Sequence, residues 1–315
     1  MEANLSTKKL LGKNSGVLNG ISSAMLWGAD TVLVGILIAQ IEGLSFANII
    51  MIAPFISAFL HDLLSSIWMI GYLGVRKQLG NVKKCFKTKS LKYVIIGGAL
   101  GGPVGMAGYL LSIKYLGPSY TAILSSLYPA VGAIMAKIIL KDKMNKSGWI
   151  GLVLSISGIV LLGATELTGV ENSIGIIFVL LCVFGWGSEA VVCAIGMKDD
   201  EITSELALFF RQCTSAIVYG FLIVPLFKGL GASFAVAGSN IIILVAITSI
   251  FGTASYLCYY GAISKIGPTK AMGLNITYVV WAILLECVFM GKALSINTIA
   301  IGSIVMVGSY LIAKE

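Results

Sequence analysis

Apolar stretches of spanning length alternate along the chain with short polar, glycine- or proline-bearing breaks. They cover 17–41, 46–75, 94–113, 119–140, 147–165, 174–197, 203–227, 239–262, 269–290 and 294–313. Roughly 20 apolar residues cross a hydrocarbon core as a helix, so the pattern predicts ten transmembrane helices. A Lys-bearing tail over 1–16 precedes the first of them. That first stretch is too long, and lacks the small-residue cleavage site, for a secretory signal, so it is expected to stay as a helix. The expected fold class is an all-α polytopic membrane protein.

Composition narrows the function classes. Of 315 residues, 57% are hydrophobic and 11% charged, against roughly 45–50% and about 25% in soluble domains. Mean hydropathy is +0.96. Ten spans leave no room for a soluble domain, which argues against a cytosolic enzyme, a secreted factor or a nucleic-acid binder. The net charge of +8 is a topology signal, because on the ten-span reading 18 basic residues fall on one side and 3 on the other, with Arg211 inside a span. Positive loops stay inside, so both termini are expected in the cytoplasm. The six cysteines form no C-x-x-C pair and five sit in apolar runs, as small core residues do.

The chain repeats itself. Shifted by 150 residues, Gly102 falls on Gly252, Tyr109 on Tyr259, Gly117-Pro118 on Gly267-Pro268, Tyr128 on Tyr278, and His61-Asp62 on Arg211-Gln212. Shifted by 159, Trp27-Gly28-Ala29-Asp30 meets Trp186-Gly187-Ser188-Glu189. The halves are expected at 17–165 and 174–313, five spans each. An odd number of spans forces the second half to cross from the opposite face. The result is a 5+5 inverted-topology repeat, the architecture of secondary transporters, with a site near the midplane between the halves.

Ionisable residues at membrane depth cost at least ~2.5–3.5 kcal/mol each, so Asp30, His61, Asp62, Glu189, Arg211 and Glu286 each need a partner or a task. Four acids against one arginine and one histidine make an interior that attracts cations. Asp30 and Glu189 follow Trp27 and Trp186 by three residues, which puts carboxylate and indole within about 60° on one helix face. A ring face attracts a cation by about 0.5–2 kcal/mol, and aromatic cages suit quaternary ammonium groups. Trp27 and Trp186 are therefore read as ligand groups, and Trp149, at a polar span start, as an interfacial anchor. Pro129 after Tyr128 is expected to open a kink, and Asn275, Tyr278 and Trp281 step by three along one face. His61, Asp62 and Arg211 are read as a structural ion network aligning the halves, with substrate contact or proton relay as alternatives. Asp30 and Glu189 are the candidate charge or proton sites, and Glu286 is expected to snorkel. No metal-ligand spacing, nucleophile motif or cofactor fingerprint appears, so no metal, cofactor or catalytic residue is expected.

These residues resemble the drug/metabolite transporter superfamily of EamA-like ten-span carriers, and within it the bacterial choline permeases. The resemblance runs over nearly the whole chain. It is densest in LHDLLSSI at 60–67, GGPVGM at 101–106, YLGPS at 115–119, LYPAV at 127–131, WGSEAV at 186–191, RQCTS at 211–215, SYLCYYGAI at 255–263 and GLNITYVVW at 273–281. It implies inward transport of choline by alternating access, with membrane lipid as surroundings and no nucleic-acid partner. Carried over by position, it implies a trimethylammonium box at Trp27, Tyr128 and Trp186, with Glu189, Tyr259, Asn275 and Trp281 nearby. Asp30 departs from the family pattern, which leaves the site charge and any ion coupling open. The alternative in the same fold is export of a metabolite or lipophilic cation.

Overall fold

The structure, a computed structural model, describes residues 2–116, 121, 124–164, 173–198, 202–290 and 296–314, without the side chains of 2–11, 113–114, 159, 162–164, 286, 289–290, 297–298 and 313. Gly117-Pro118 and the Glu286 side chain thus lie outside the described residues. Ten principal helices follow in order: α1 Glu2–Glu42, α2 Ile49–Val75, α3 over 91–116, α4 Tyr128–Leu140 and α5 Lys146–Ala164, then α6 Ser173–Gly196, α7 Ser204–Leu226, α8 Ile241–Ile266, α9 over 268–290 and α10 Ile296–Ala313. Among the described residues, six helices are long and apolar enough to cross a bilayer. Short helices at Leu79–Cys85 and Leu230–Ala237 connect α2 to α3 and α7 to α8.

Three departures from the sequence pattern have physical causes. The stretch expected as a tail is helical from Glu2, because no proline interrupts it before the apolar run. α3 contains a π-helical segment at Leu100–Met106 around Pro103, whose missing N–H disrupts the regular ladder. α9 is not one helix: Pro268–Asn275 and Tyr278–Met290 are separated by a turn at Ile276 and Thr277. A turn at 126–127 likewise precedes Tyr128 in α4, the repeat equivalent of Tyr278. Each half therefore breaks a helix at the same point.

The packing is two-fold. α1 lies against α8 and α9, while α6 lies against α3 and α4; α2 pairs with α7, and α5 with α10. Exchanging the first five helices for the last five maps each of these contacts onto another or onto itself. The molecule is thus a ten-span 5+5 inverted repeat.

The Trp-Gly pairs explain part of this symmetry. A Cβ at Gly187 would lie 2.8 Å from the Tyr128 carbonyl oxygen, and one at Gly28 would lie 3.0 Å from the Tyr278 carbonyl oxygen. Glycine lets α6 cross α4, and α1 cross α9, backbone against backbone. The tryptophan one residue earlier is then held beside the broken helix.

Candidate functional site

The broken helices open onto a small cavity of about 30 Å³ between the halves. Its wall is aromatic: Trp27, Tyr128, Trp186, Tyr256, Tyr259 and Tyr278, with Ser23, Ser255, Asn275 and Glu189 between the rings. Trp27 and Trp186 meet edge-to-face at 6.4 Å between centroids, and Tyr128 stands edge-on to Trp186 at 5.9 Å. Tyr256 packs edge-on to Trp27 at 5.2 Å, with Tyr259 6.4 Å beyond it. Tyr109 backs Trp186 from outside at 5.1 Å. Perpendicular rings brace one another and leave faces turned toward the enclosed space.

Hydrogen bonds fix the rings. The Tyr128 hydroxyl donates to Asn275 Oδ1 at 3.0 Å, and Asn275 Nδ2 donates to Ser23 Oγ at 2.8 Å. Ser255 Oγ donates to the Ser23 carbonyl at 2.9 Å. One asparagine at the α9 break thus ties α4 to α1, leaving few polar groups free to solvate a ligand. Trp186 Nε1 donates to the Gly101 carbonyl in the π segment at 3.2 Å. A Cβ at Gly101 would collide with the Glu189 carboxylate, so this glycine makes the space into which the acid is set.

Behind the rings runs a chain of buried charge. Arg211, 1% exposed, donates through Nε to Glu189 Oε1 at 2.9 Å and through Nη1 to Asp62 Oδ2 at 3.5 Å. Its Nη1 also reaches Gln212 at 2.7 Å and its Nη2 the Tyr256 hydroxyl at 2.8 Å. The guanidinium carbon sits 4.3 Å from the Tyr256 ring centroid, so the protein's own cation already uses one of these rings. Tyr260 donates a further hydrogen bond to Glu189 Oε1 at 2.9 Å. His61 faces Asp62 at 3.1 Å and Asp30 at 3.5 Å. The repeat equivalents therefore form matching acid–base pairs, Asp30 with His61 and Glu189 with Arg211.

The structure brings Trp27, Tyr128, Trp186, Glu189, Tyr259 and Asn275 to one chamber. Trp281 is not on its wall. It packs against the cluster of Ala24, Tyr278, Val279 and Val305, its indole N–H without a hydrogen bond. Glu189 lines the chamber already paired with Arg211 rather than as a free counter-charge. Asp30 lies outside the chamber, in a second cavity with His61, Asp62 and Arg211. Trp149 is partly buried, with the Lys137 ammonium 5.7 Å from its ring. The sequence reading missed Ser23, Ser255 and Tyr256 and gave Tyr278 no role. The tyrosines at 256, 259 and 260, spaced as one helix face, were the signal for Tyr256. The serines carried none.

An inverted repeat of ten helices with a walled chamber at its helix breaks is the architecture of a secondary membrane transporter. Residues 14–164 and 173–314 each match the EamA-like transporter family, and the chain belongs to that family. It is 37% identical over 271 residues to Protein LicB of Haemophilus influenzae, covering 85% of this chain and 87% of that protein. It is 24% identical over 309 residues to the riboflavin transporter ImpX of Fusobacterium nucleatum, covering 95% and 97%. The uncharacterized inner membrane transporter YhbE of Escherichia coli is 25% identical over 64% of this chain and 61% of its own. A solved crystal structure, 18% identical, superposes with a TM-score of 0.69 over 94% of this chain and 96% of its own, which shows the fold.

Proposed function

We propose that this protein is a secondary transporter that carries choline, or a closely similar quaternary ammonium, inward across the bacterial inner membrane by alternating access. The observation that carries the reading is the small aromatic-walled cavity with a carboxylate in its wall. A methylated cation has no N–H to donate and gains most from ring faces. The likeness to Protein LicB and the inner-membrane description of YhbE agree with it. A box this small favours a small cation, whereas a multidrug exporter of the same fold needs a wide greasy cavity. In this reading 17–165 and 174–313 are the moving halves, 1–16 and both termini are cytoplasmic, and no cofactor or catalytic residue takes part. Glu189, shared between Arg211 and the ligand, supplies the nearby negative charge.

Radiolabelled choline uptake into proteoliposomes, competed by betaine, carnitine and lysine, tests this. Saturable choline uptake resisted by lysine but reduced by methylated competitors is expected. Choline ignored while a bulky lipophilic cation is expelled would replace the assignment with an exporter.

A further inference from the structure

On the far side of Trp27 and Tyr256 lies a second small cavity, of about 40 Å³. The two chambers share the side chains of Trp27 and Tyr256 and are otherwise differently made. In the second, Asp30, His61, Asp62 and Arg211 replace most of the aromatic wall. Asp30 is 3% exposed, and its Oδ1 makes no hydrogen bond; neither does His61 Nε2, which faces it. Asp30 comes three residues after Trp27 on α1, away from Ser23 and the N-terminal end. With the termini in the cytoplasm, this cavity lies on the outer side of the aromatic box.

Charge decides what it would hold. Asp30, Asp62 and Glu189 form one contact chain with a single guanidinium, and that guanidinium is engaged by Glu189 at 2.9 Å and only more loosely by Asp62 at 3.5 Å. This cavity's own wall holds two carboxylates, Asp30 and Asp62, beside His61 and Arg211, and its guanidinium is shared with Glu189 in the aromatic chamber. The network that spans the two cavities therefore has one carboxylate more than it has cationic groups, and buried charge without a counter-ion is strongly disfavoured, so the network can take up a cation.

We infer that the Asp30 cavity is a second station for the transported quaternary ammonium, an outer waiting site from which the cation passes between Trp27 and Tyr256 into the aromatic box. The inference rests on the choline reading above. Two stations of opposite character divide the work: carboxylates draw the cation out of water, and ring faces then select its methylated surface. Trp27 belongs to both walls, so the cation keeps contact with one indole throughout the transfer. Arg211, bonded to acids on either side, stands beside the passage and repels a second cation while the first is in transit.

Crystals of the full chain soaked with a bromine-bearing choline analogue test this directly. Anomalous bromine peaks are expected in both cavities of the wild type, and in the aromatic box alone in Asp30→Asn. The variant should lower uptake kcat/KM about tenfold while its equilibrium Kd stays within about threefold of wild type, because the lost carboxylate governs capture. Asp30→Glu should restore most of the rate. A wild-type peak in the box alone, with Asp30→Asn taking up choline at the wild-type rate, overturns the second station and leaves the substrate reading standing. Asp30→Asn weakening the Kd in step with uptake also overturns it, by making Asp30 part of the box. No peak in either cavity and no choline binding by the wild type overturn both.

Discussion

The indoles and the arginine do different kinds of work. Trp27 and Trp186 present ring faces to the chamber and are braced edge-on by Tyr256 and Tyr128. Replacing either by alanine removes a cation–π contact and the brace for its neighbour. Trp27→Ala or Trp186→Ala should weaken choline binding by about 1–2 kcal/mol each, about 5–30-fold, by isothermal titration calorimetry; wild-type affinity in both would remove the box from consideration. Arg211 instead neutralises Glu189 and Asp62 and has no exposed surface to lose. Arg211→Ala leaves Glu189 with the Tyr260 hydroxyl and Asp62 with His61 but neither with its arginine, a loss of about 3–5 kcal/mol for a broken buried pair. Folded yield on size-exclusion chromatography should fall sharply, and a stable variant that lost only choline binding would make Arg211 a ligand group. Six of the seven substrate-site residues named from sequence line one chamber: Trp27, Trp186 and Glu189 come from the repeated Trp-Gly-x-acid motif, and Tyr128, Tyr259 and Asn275 from α4, α8 and α9. What the motif could not tell is whom each acid faces. Glu189 and Asp30 are equivalent in sequence, yet one meets an arginine and the other a histidine, a difference visible only once α1, α2, α6 and α7 are packed.

At the scale of elements, the ten apolar stretches were legible because hydrophobic length is what a bilayer demands. The interruptions were less so. Pro129 pointed to a kink at Tyr128, but the matching break in α9 has no proline and follows Asn275 and Ile276. Its sequence reads as continuous helix, and packing against α1 and α4 overrides that local preference. Gly187 is a tight joint in this arrangement. Gly187→Val would drive a branched side chain into the Tyr128 carbonyl, parting α6 from α4. Overpacking of this sort costs about 1–3 kcal/mol, and backbone cannot yield as a side chain can. A lower melting temperature and weakened choline binding are expected together, since Tyr128 and Trp186 separate when these helices do. Unchanged melting would mean the crossing is looser than its geometry indicates.

For the whole molecule, if choline is the cargo as proposed, its permanent charge sets the energetics. An inside-negative potential supplies about 2.3 kcal/mol per 100 mV for one charge, enough for roughly 50-fold accumulation with no coupled ion. Uptake into liposomes at equal pH should follow a potassium diffusion potential, and concentrative uptake driven by a proton gradient at zero potential would identify a symporter instead. The paired acid–base contacts carry a consequence for the opposite-facing state. One sequence plan, written twice and inserted upside down, stores two shapes of the same five-helix unit side by side. If the carrier turns over by letting each half take the shape its twin now has, the loose 3.5 Å pair of Asp30 and His61 should draw together as the tight 2.9 Å pair of Glu189 and Arg211 slackens. A structure trapped open to the other side would display that trade. The carboxylate beside the rings would then be released from its arginine at the moment when the cargo has to leave.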